Sequence, residues 1–236
     1  MDKKLRKAQL EILRIFSLRA GSFALAGGTA LELYYLHHRF SVDLDFFSPE
    51  YDLDEIEGLV KSFRKLSGYK IKLECDFKAG GMARVRFYVV TIPWLDRPLK
   101  IDFVEDVIFN SPDIRRFKGV PVYSVDNLYL QKITAITGTN PVEDDIGRVV
   151  FQGRRKARDA FDIYVLSRKV CPLRAFLKKL SVPLQRGMVH WYQTFSRQDL
   201  KLELLDMDIY DTDFDAREMI IYLENEIKKF ISEELK

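Results

Sequence analysis

Asp43 and Asp45 stand two residues apart in Ser41-Val42-Asp43-Leu44-Asp45-Phe46, where apolar and acidic residues alternate. A period of two is that of a strand, so both carboxylates should leave one face with Cα atoms roughly 6.5–7 Å apart. Like charges projecting together repel unless a cation lies between them. Hard oxygen donors suit Mg²⁺, which takes one or two carboxylates and completes its shell with water and substrate phosphates. An isolated Asp-X-Asp is weak evidence, but its surroundings strengthen it. Upstream, Phe23-Ala24-Leu25-Ala26 reads as a short strand, stopped by Gly27-Gly28, with Thr29 opening a run of helix formers. Glycines at such a turn let backbone N–H groups approach a phosphate, and the helix dipole favours negative charge there. Downstream, Leu99 to Val104 alternates so that Lys100, Asp102 and Val104 share a face, and Asp102 is placed to add a third carboxylate to the same ions. Asp102 taken alone would be a solvated strand residue.

Lys132 is the second unusual position. On a helix it falls between Leu128 and the pair Ala135, Ile136, which puts an ammonium on the apolar stripe. Two readings stand: a contact to the β/γ-phosphates of a nucleotide, or a lysine snorkelling at the edge of the stripe. Further on, Ala157, Ala160, Phe161, Tyr164 and Val165 form a helical packing stripe, with Arg158 and Asp162 spaced for an i,i+4 ion pair. Arg148, Arg154, Arg155, Lys156 and Arg158 concentrate positive charge. They are read either as a phosphate-tracking cluster or as a solvated face. His37 and His38 close a helix, where the C-terminal dipole favours a structural role. Arg39 and Ser41 are placed to brace the loop ahead of Asp43, and Arg39 also to reach a phosphate.

These blocks resemble a known family. Gly27-Gly28-Thr29-Ala30-Leu31, Tyr35 and His38-Arg39-Phe40-Ser41-Val42-Asp43-Leu44-Asp45-Phe46-Phe47 are similar to the opening signature of the AbiEii/AbiGii-type nucleotidyltransferase-like toxins, within the polymerase-β-like nucleotidyltransferase superfamily. The resemblance continues through Lys100-Ile101-Asp102-Phe103-Val104, Lys132, and Arg158-Asp159-Ala160-Phe161-Asp162, covering about residues 23–168. It implies Mg²⁺-dependent transfer of a nucleoside monophosphate from an NTP to an acceptor hydroxyl, with pyrophosphate leaving. It also implies roles for the matched residues. Asp43 and Asp45 would bind two Mg²⁺ ions, Asp102 one of them, and Gly27, Gly28 and Thr29 the triphosphate. Arg39 and Ser41 would lie beside the nucleotide, Lys132 would serve catalysis, and either Asp159 or Asp162, Asp159 slightly favoured, would orient Lys132 or the nucleotide. The resemblance further implies a toxin of a two-gene system with a cognate antitoxin as partner, and tRNA as an acceptor. Two other readings remain open: transfer to a small molecule of the antibiotic type, and a catalytically silent module that binds NTP or a partner.

The rest of the chain must carry these groups. With 236 residues, 47% apolar and 31% charged, it is long enough to bury a core without disulfides. Cys75 and Cys171 lie in no ligand spacing, which excludes a cysteine zinc site and fits a reducing, cytoplasmic compartment. Charge runs through the first fourteen residues, and no stretch approaches the roughly 18 apolar residues of a membrane span, so neither signal peptide nor anchor is expected. The net charge of +3 hides an asymmetry. Residues 199–236 hold 12 acidic and 5 basic residues (−7), leaving 33 basic and 23 acidic (+10) before them. A basic body is compatible with a polyanionic substrate. The acidic tail is read either as a mask over that body or as a surface helix.

Periodicity predicts a helix over 3–19, another over 52–66, and strands over 69–77, 83–92 and 99–104, with a hairpin signal at Ala79-Gly80-Gly81. From Ser124, an N-cap candidate, the pattern turns helical: to Gly138, then over 154–168, 172–181, 183–198 and 215–235, with 139–153 as a loop. The expected fold is α+β. A nucleotidyltransferase-type mixed sheet with flanking helices fills 1–120, and a C-terminal helical domain fills 121–236.

Overall fold

The computed structural model describes residues 2–78, 83–95, 97–138, 141–143, 149–151 and 153–234. Its chain divides into two units, Met1–Leu128 and Tyr129–Lys236.

In the first unit a seven-stranded mixed sheet has the order β3-β4-β5-β2-β1-β7-β6. The strands are β1 Ala24–Ala26, β2 Leu44–Ser48, β3 Lys70–Phe77, β4 Val85–Thr91, β5 Leu99–Glu105, β6 Ile114–Phe117 and β7 Val120–Tyr123. β2 runs parallel to β5 and β1 parallel to β7; the other neighbours are antiparallel. The helices are α1 Lys3–Arg19, α2 Gly27–Leu31 with a π-helical extension Glu32–Leu36, and α3 Leu53–Ser67. Asp2 caps α1 by accepting from Lys4 N and Leu5 N, and Asp52 caps α3 by accepting from Asp54 N and Glu55 N. These caps satisfy N–H groups that the helix itself leaves without partners.

α1 and α3 lie against one face of the sheet. Phe46 stacks on Phe16 of α1 at 4.1 Å between centroids and lies 6.4 Å from Phe63 of α3. Leu44, Phe46, Ile101 and Phe103 are fully buried on that face. Because strand side chains alternate, Asp45 and Asp102 necessarily leave the opposite face.

Two differences from the sequence reading concern this sheet. Periodicity does not predict the β6–β7 hairpin, because its four-residue strands carry Arg115, Arg116 and Pro121 in place of an alternating pattern. Its turn is formed by Lys118 and Gly119, both at positive φ (50° and 85°), as a tight hairpin requires. Asp43 falls on the residue before β2, not within it. The Ala79-Gly80-Gly81 signal lies outside the described residues, although β3 and β4 on either side of it pair from Lys70↔Thr91 to Phe77↔Val85.

α4, Val125–Thr137, begins beside Ser124, whose hydroxyl accepts from Asn127 N, and is followed by Gly138 at φ 80°. The second unit continues with α5 Ala157–Lys169, α6 Leu173–Leu177, α7 Val182–Thr194, α8 Arg197–Leu205 and α9 Ala216–Glu234. α5 is its hub: Ala160, Phe161, Ile163 and Leu166 are buried. The helix read over 183–198 is two, since Ser196 caps a new start by accepting from Asp199 N. Residues 139–153 are not wholly loop. β8 Pro141–Glu143 pairs antiparallel with β9 Val149–Phe151, strands of three residues that are too short to display a period. The acidic tail is integral. Met219, Leu223, Ile227 and Phe230 of α9 are buried, and Glu226 accepts from Arg174 N at 3.1 Å and Arg174 Nη1 at 2.6 Å. Tail residues that close a core are not a detachable mask.

Candidate functional site

The carboxylates are assembled by strand register. Asp45 of β2 pairs directly with Asp102 of β5 in the parallel ladder, and with Ala26, the last residue of β1, on its other side. The chain leaves β1 at Gly27 with φ 67°, a conformation natural to glycine. A Cβ there would overlap Asp45 Oδ2. The Asp45 carboxylate therefore rests against the backbone of the glycine turn, with Asp102 on the neighbouring strand. The turn between β1 and α2 places Gly28 and Thr29 next. Thr29 is fully buried and donates its hydroxyl to the Asp43 carbonyl, which ties the helix start to the residue before β2.

Arg39 and Ser41 are also buried, and both press on the turn. A Cβ on Gly28 would lie 2.6 Å from Arg39 Nη2 and 2.8 Å from Ser41 Oγ. Three further residues hold this loop, and the sequence reading does not single them out. Glu32, on the π-helical extension, accepts from Ser41 N at 2.9 Å and pairs with Arg6. The Arg6 guanidinium in turn lies 4.6 Å from the Phe40 ring centroid. Gln9 Nε2 donates to Ser41 O at 2.9 Å and Val42 O at 2.6 Å. A signal for Gln9 is present: it is a polar residue on the buried stripe of α1. Tyr35 donates to the Tyr123 carbonyl at 2.8 Å, tying the extension to β7, and burial pushes its phenol up to about 12. His37 ends the extension in the left-handed region at φ 48°, as a helix-closing residue.

Among the described residues no three His, Cys, Asp or Glu side chains come close enough together to enclose a metal ion. The donors present nonetheless suit Mg²⁺, which needs only one or two carboxylates. Asp45 and Asp102 are hard oxygen donors on adjacent strands, and the missing Cβ of Gly27 is what lets the Asp45 carboxylate lie against the turn.

In the second unit Lys132 does not snorkel. Its side chain is 7% exposed, and its Nζ lies 2.8 Å from both Asp159 Oδ1 and Asp162 Oδ2. The sequence reading sets these two aspartates against each other, and Lys132 binds both. Arg154 Nη2 lies 3.3 Å from Asp159 Oδ2. Burial by itself would raise the Asp159 carboxyl, but Lys132 and Arg154 outweigh it and hold that group below the ordinary carboxylate value. Two members of the basic cluster are thus engaged within the unit, Arg154 with Asp159 and Lys156 with Glu203. Arg148 lies outside the described residues.

The family model for "Nucleotidyl transferase AbiEii toxin, Type IV TA system" matches residues 11–229. The chain belongs to the AbiEii nucleotidyltransferase toxin family. Solved structures share its fold: a protein from H. pylori assigned as a nucleotidyltransferase superposes with a TM-score of 0.62 at 18% identity, covering 100% of this chain and 99% of that one. JHP933 from Helicobacter pylori superposes with a TM-score of 0.60 at 17% identity, covering 99% and 94%. No curated protein matches. The chain is thus a nucleotidyltransferase on a mixed α+β fold, with NTP as the substrate its family implies. Among the described residues no helix is long and apolar enough to cross a membrane.

Proposed function

We propose that this nucleotidyltransferase moves a nucleoside monophosphate from an NTP to a hydroxyl of RNA, tRNA above all, and that Asp43, Asp45 and Asp102 hold the Mg²⁺ ions the reaction uses. The observation that carries this reading is the register pair Asp45↔Asp102 set against the Gly27 turn. When bound, two divalent ions would clamp the attacking and leaving oxygens and neutralise charge as it develops.

The chain's own groups do the rest. Gly27 and Gly28 admit the triphosphate to the backbone of the turn. Thr29 serves through its main chain, since its hydroxyl is spent on Asp43. Arg39 and Ser41 keep the turn and the Asp43 segment in register, with Gln9 and Glu32 fixing them from behind. Lys132 keeps a catalytic role in this reading on the strength of the family signature, and within the second unit Asp159 and Asp162 fix the position of its ammonium. Membership of a type IV toxin family supports a toxin role, an antitoxin partner and a cytoplasmic site of action.

The test is incubation of the purified protein with each α-³²P-labelled NTP, Mg²⁺ and total cellular RNA, beside the Asp43→Ala/Asp45→Ala protein. Label on tRNA-sized RNA that requires the carboxylates is the expected result. Transfer that survives both substitutions would overturn the assignment of the carboxylates, and transfer only to small molecules would overturn the RNA acceptor.

A further inference from the structure

The sheet face that carries Asp45 and Asp102 continues outward across β4 and β3, and its composition changes in a directed way. Asp102 pairs with Phe87, which pairs with Cys75. One step along the strands the row is Lys100, Val89, Lys72; one step the other way it is Val104, Val85, Phe77. Lys70, paired with Thr91, extends the lysine side. The opposite face of the same strands is packed: Tyr88, Val90, Ile101 and Phe103 are at most 4% exposed. On the carboxylate face Phe87, Val89 and Val85 are half-buried, and Phe77 is 49% exposed. Lys100 Nζ lies 5.4 Å from the Phe87 ring centroid, and Lys72 is exposed and paired with Glu74 at 3.1 Å.

We propose that this face of β5, β4 and β3 is where a single-stranded end of the acceptor RNA lies, with its bases on Phe87 and Phe77 and its phosphates along Lys70, Lys72 and Lys100. The proposal rests on the RNA-acceptor reading above and deepens it by assigning the surface. Aromatic rings accept any base face, and cations beside them track the backbone, the combination that single-stranded nucleic acid uses. From β2 to β3 the strip crosses three strand spacings, about 14 Å. An extended polyanion matches cations spread along that length, whereas a compact neutral acceptor does not. The strip also begins at the carboxylates, so an end laid along it would present its terminal hydroxyl beside Asp45 and Asp102.

The experiment measures fluorescence anisotropy of a fluorescein-labelled 12-nucleotide single-stranded RNA against the full-length protein over a salt series, alongside the label-transfer assay. Lys72→Ala/Lys100→Ala should weaken binding about tenfold and lower the slope of log K against log salt by about 1.4, roughly 0.7 for each phosphate that is no longer neutralised. Lys61→Ala/Lys65→Ala removes the same charge from α3, which packs on the other face, and should leave Kd and slope near those of the unsubstituted protein. Phe77→Ala should weaken binding about fivefold with the slope unchanged, the signature of a missing stacking platform. All variants should keep their affinity for NTP. If the unsubstituted protein labels RNA while the Lys72/Lys100 and Phe77 variants bind and label as it does, this surface assignment is wrong and the RNA reading stands. Equal losses from the two lysine pairs would also overturn it, because charge alone would then explain the binding. If the unsubstituted protein binds and labels no RNA, the acceptor reading itself fails.

Discussion

Gly27 carries two constraints at one position: a φ of 67°, and no space for a Cβ against the Asp45 carboxylate. Gly27→Ala should therefore cost about 1–3 kcal/mol in stability from backbone strain and displace Asp45 as well. The expected outcome is a loss of nucleotidyl transfer of at least about tenfold, beyond what reduced folding explains; a stability curve and a transfer rate on the same preparation separate the two. Lys132 sits at the opposite electrostatic extreme, a buried cation between two buried carboxylates. Lys132→Met leaves both without their ammonium, a change expected to cost about 3–5 kcal/mol and readable as a lowered denaturation midpoint. Asp159, held below its ordinary value, binds fewer protons folded than unfolded at acid pH. Its contribution is complete above the unfolded value, near 3.8, and disappears as pH falls through the lower folded value. Acid titration followed by Trp191 fluorescence should show this loss, and Asp159→Asn should remove that part of the pH dependence while lowering stability at neutral pH.

At the scale of elements, the turn and the loop before β2 depend on a brace from α1. Gln9 is fully buried and donates to two carbonyls of the segment leading to Asp43. Gln9→Leu keeps the volume but leaves Ser41 O and Val42 O without those donors, at an expected cost of about 1–3 kcal/mol. Because the orphaned carbonyls flank the Asp43 segment, transfer should fall more than global stability does. An unchanged transfer rate in a protein that remains folded would mean that the brace serves folding only. The π-helical extension belongs to the same argument. Glu32 and Tyr35 lie within it, bonding to Ser41 N and Tyr123 O, so its geometry couples the helix to the loop and to β7. Single π-helical turns of this kind are rare and occur frequently at functional sites.

For the whole molecule, net charge and topology make separate statements. The −7 of residues 199–236 is compatible with a detachable acidic cover, yet α8 and α9 close the core of the second unit. Truncation after residue 198 removes Met219, Ile220, Leu223, Ile227 and Phe230, each buried. At about 1.5–3 kcal/mol per side chain this approaches or exceeds the entire stability of a typical domain. The truncated chain should be insoluble or lack a cooperative transition by circular dichroism; a soluble product with raised RNA affinity would restore the mask.

Much of this protein is decided locally and is legible in one dimension. The Ser124 cap, the Gly27-Gly28 turn, the helices of 3–19 and 52–66 and the alternation through Asp45 and Asp102 are short-range matters of dihedral preference and periodicity. The family signature likewise lies in contiguous blocks. What the tertiary structure decided is which of these pieces meet. That Asp45 stands opposite Asp102, that Gln9 and Glu32 hold the Asp43 segment, and that Lys132 binds two aspartates on α5 are contacts between residues distant in sequence. Strand register across such separations is set by burying one face of the whole sheet at once, and no single strand's pattern contains the alignment of its neighbour.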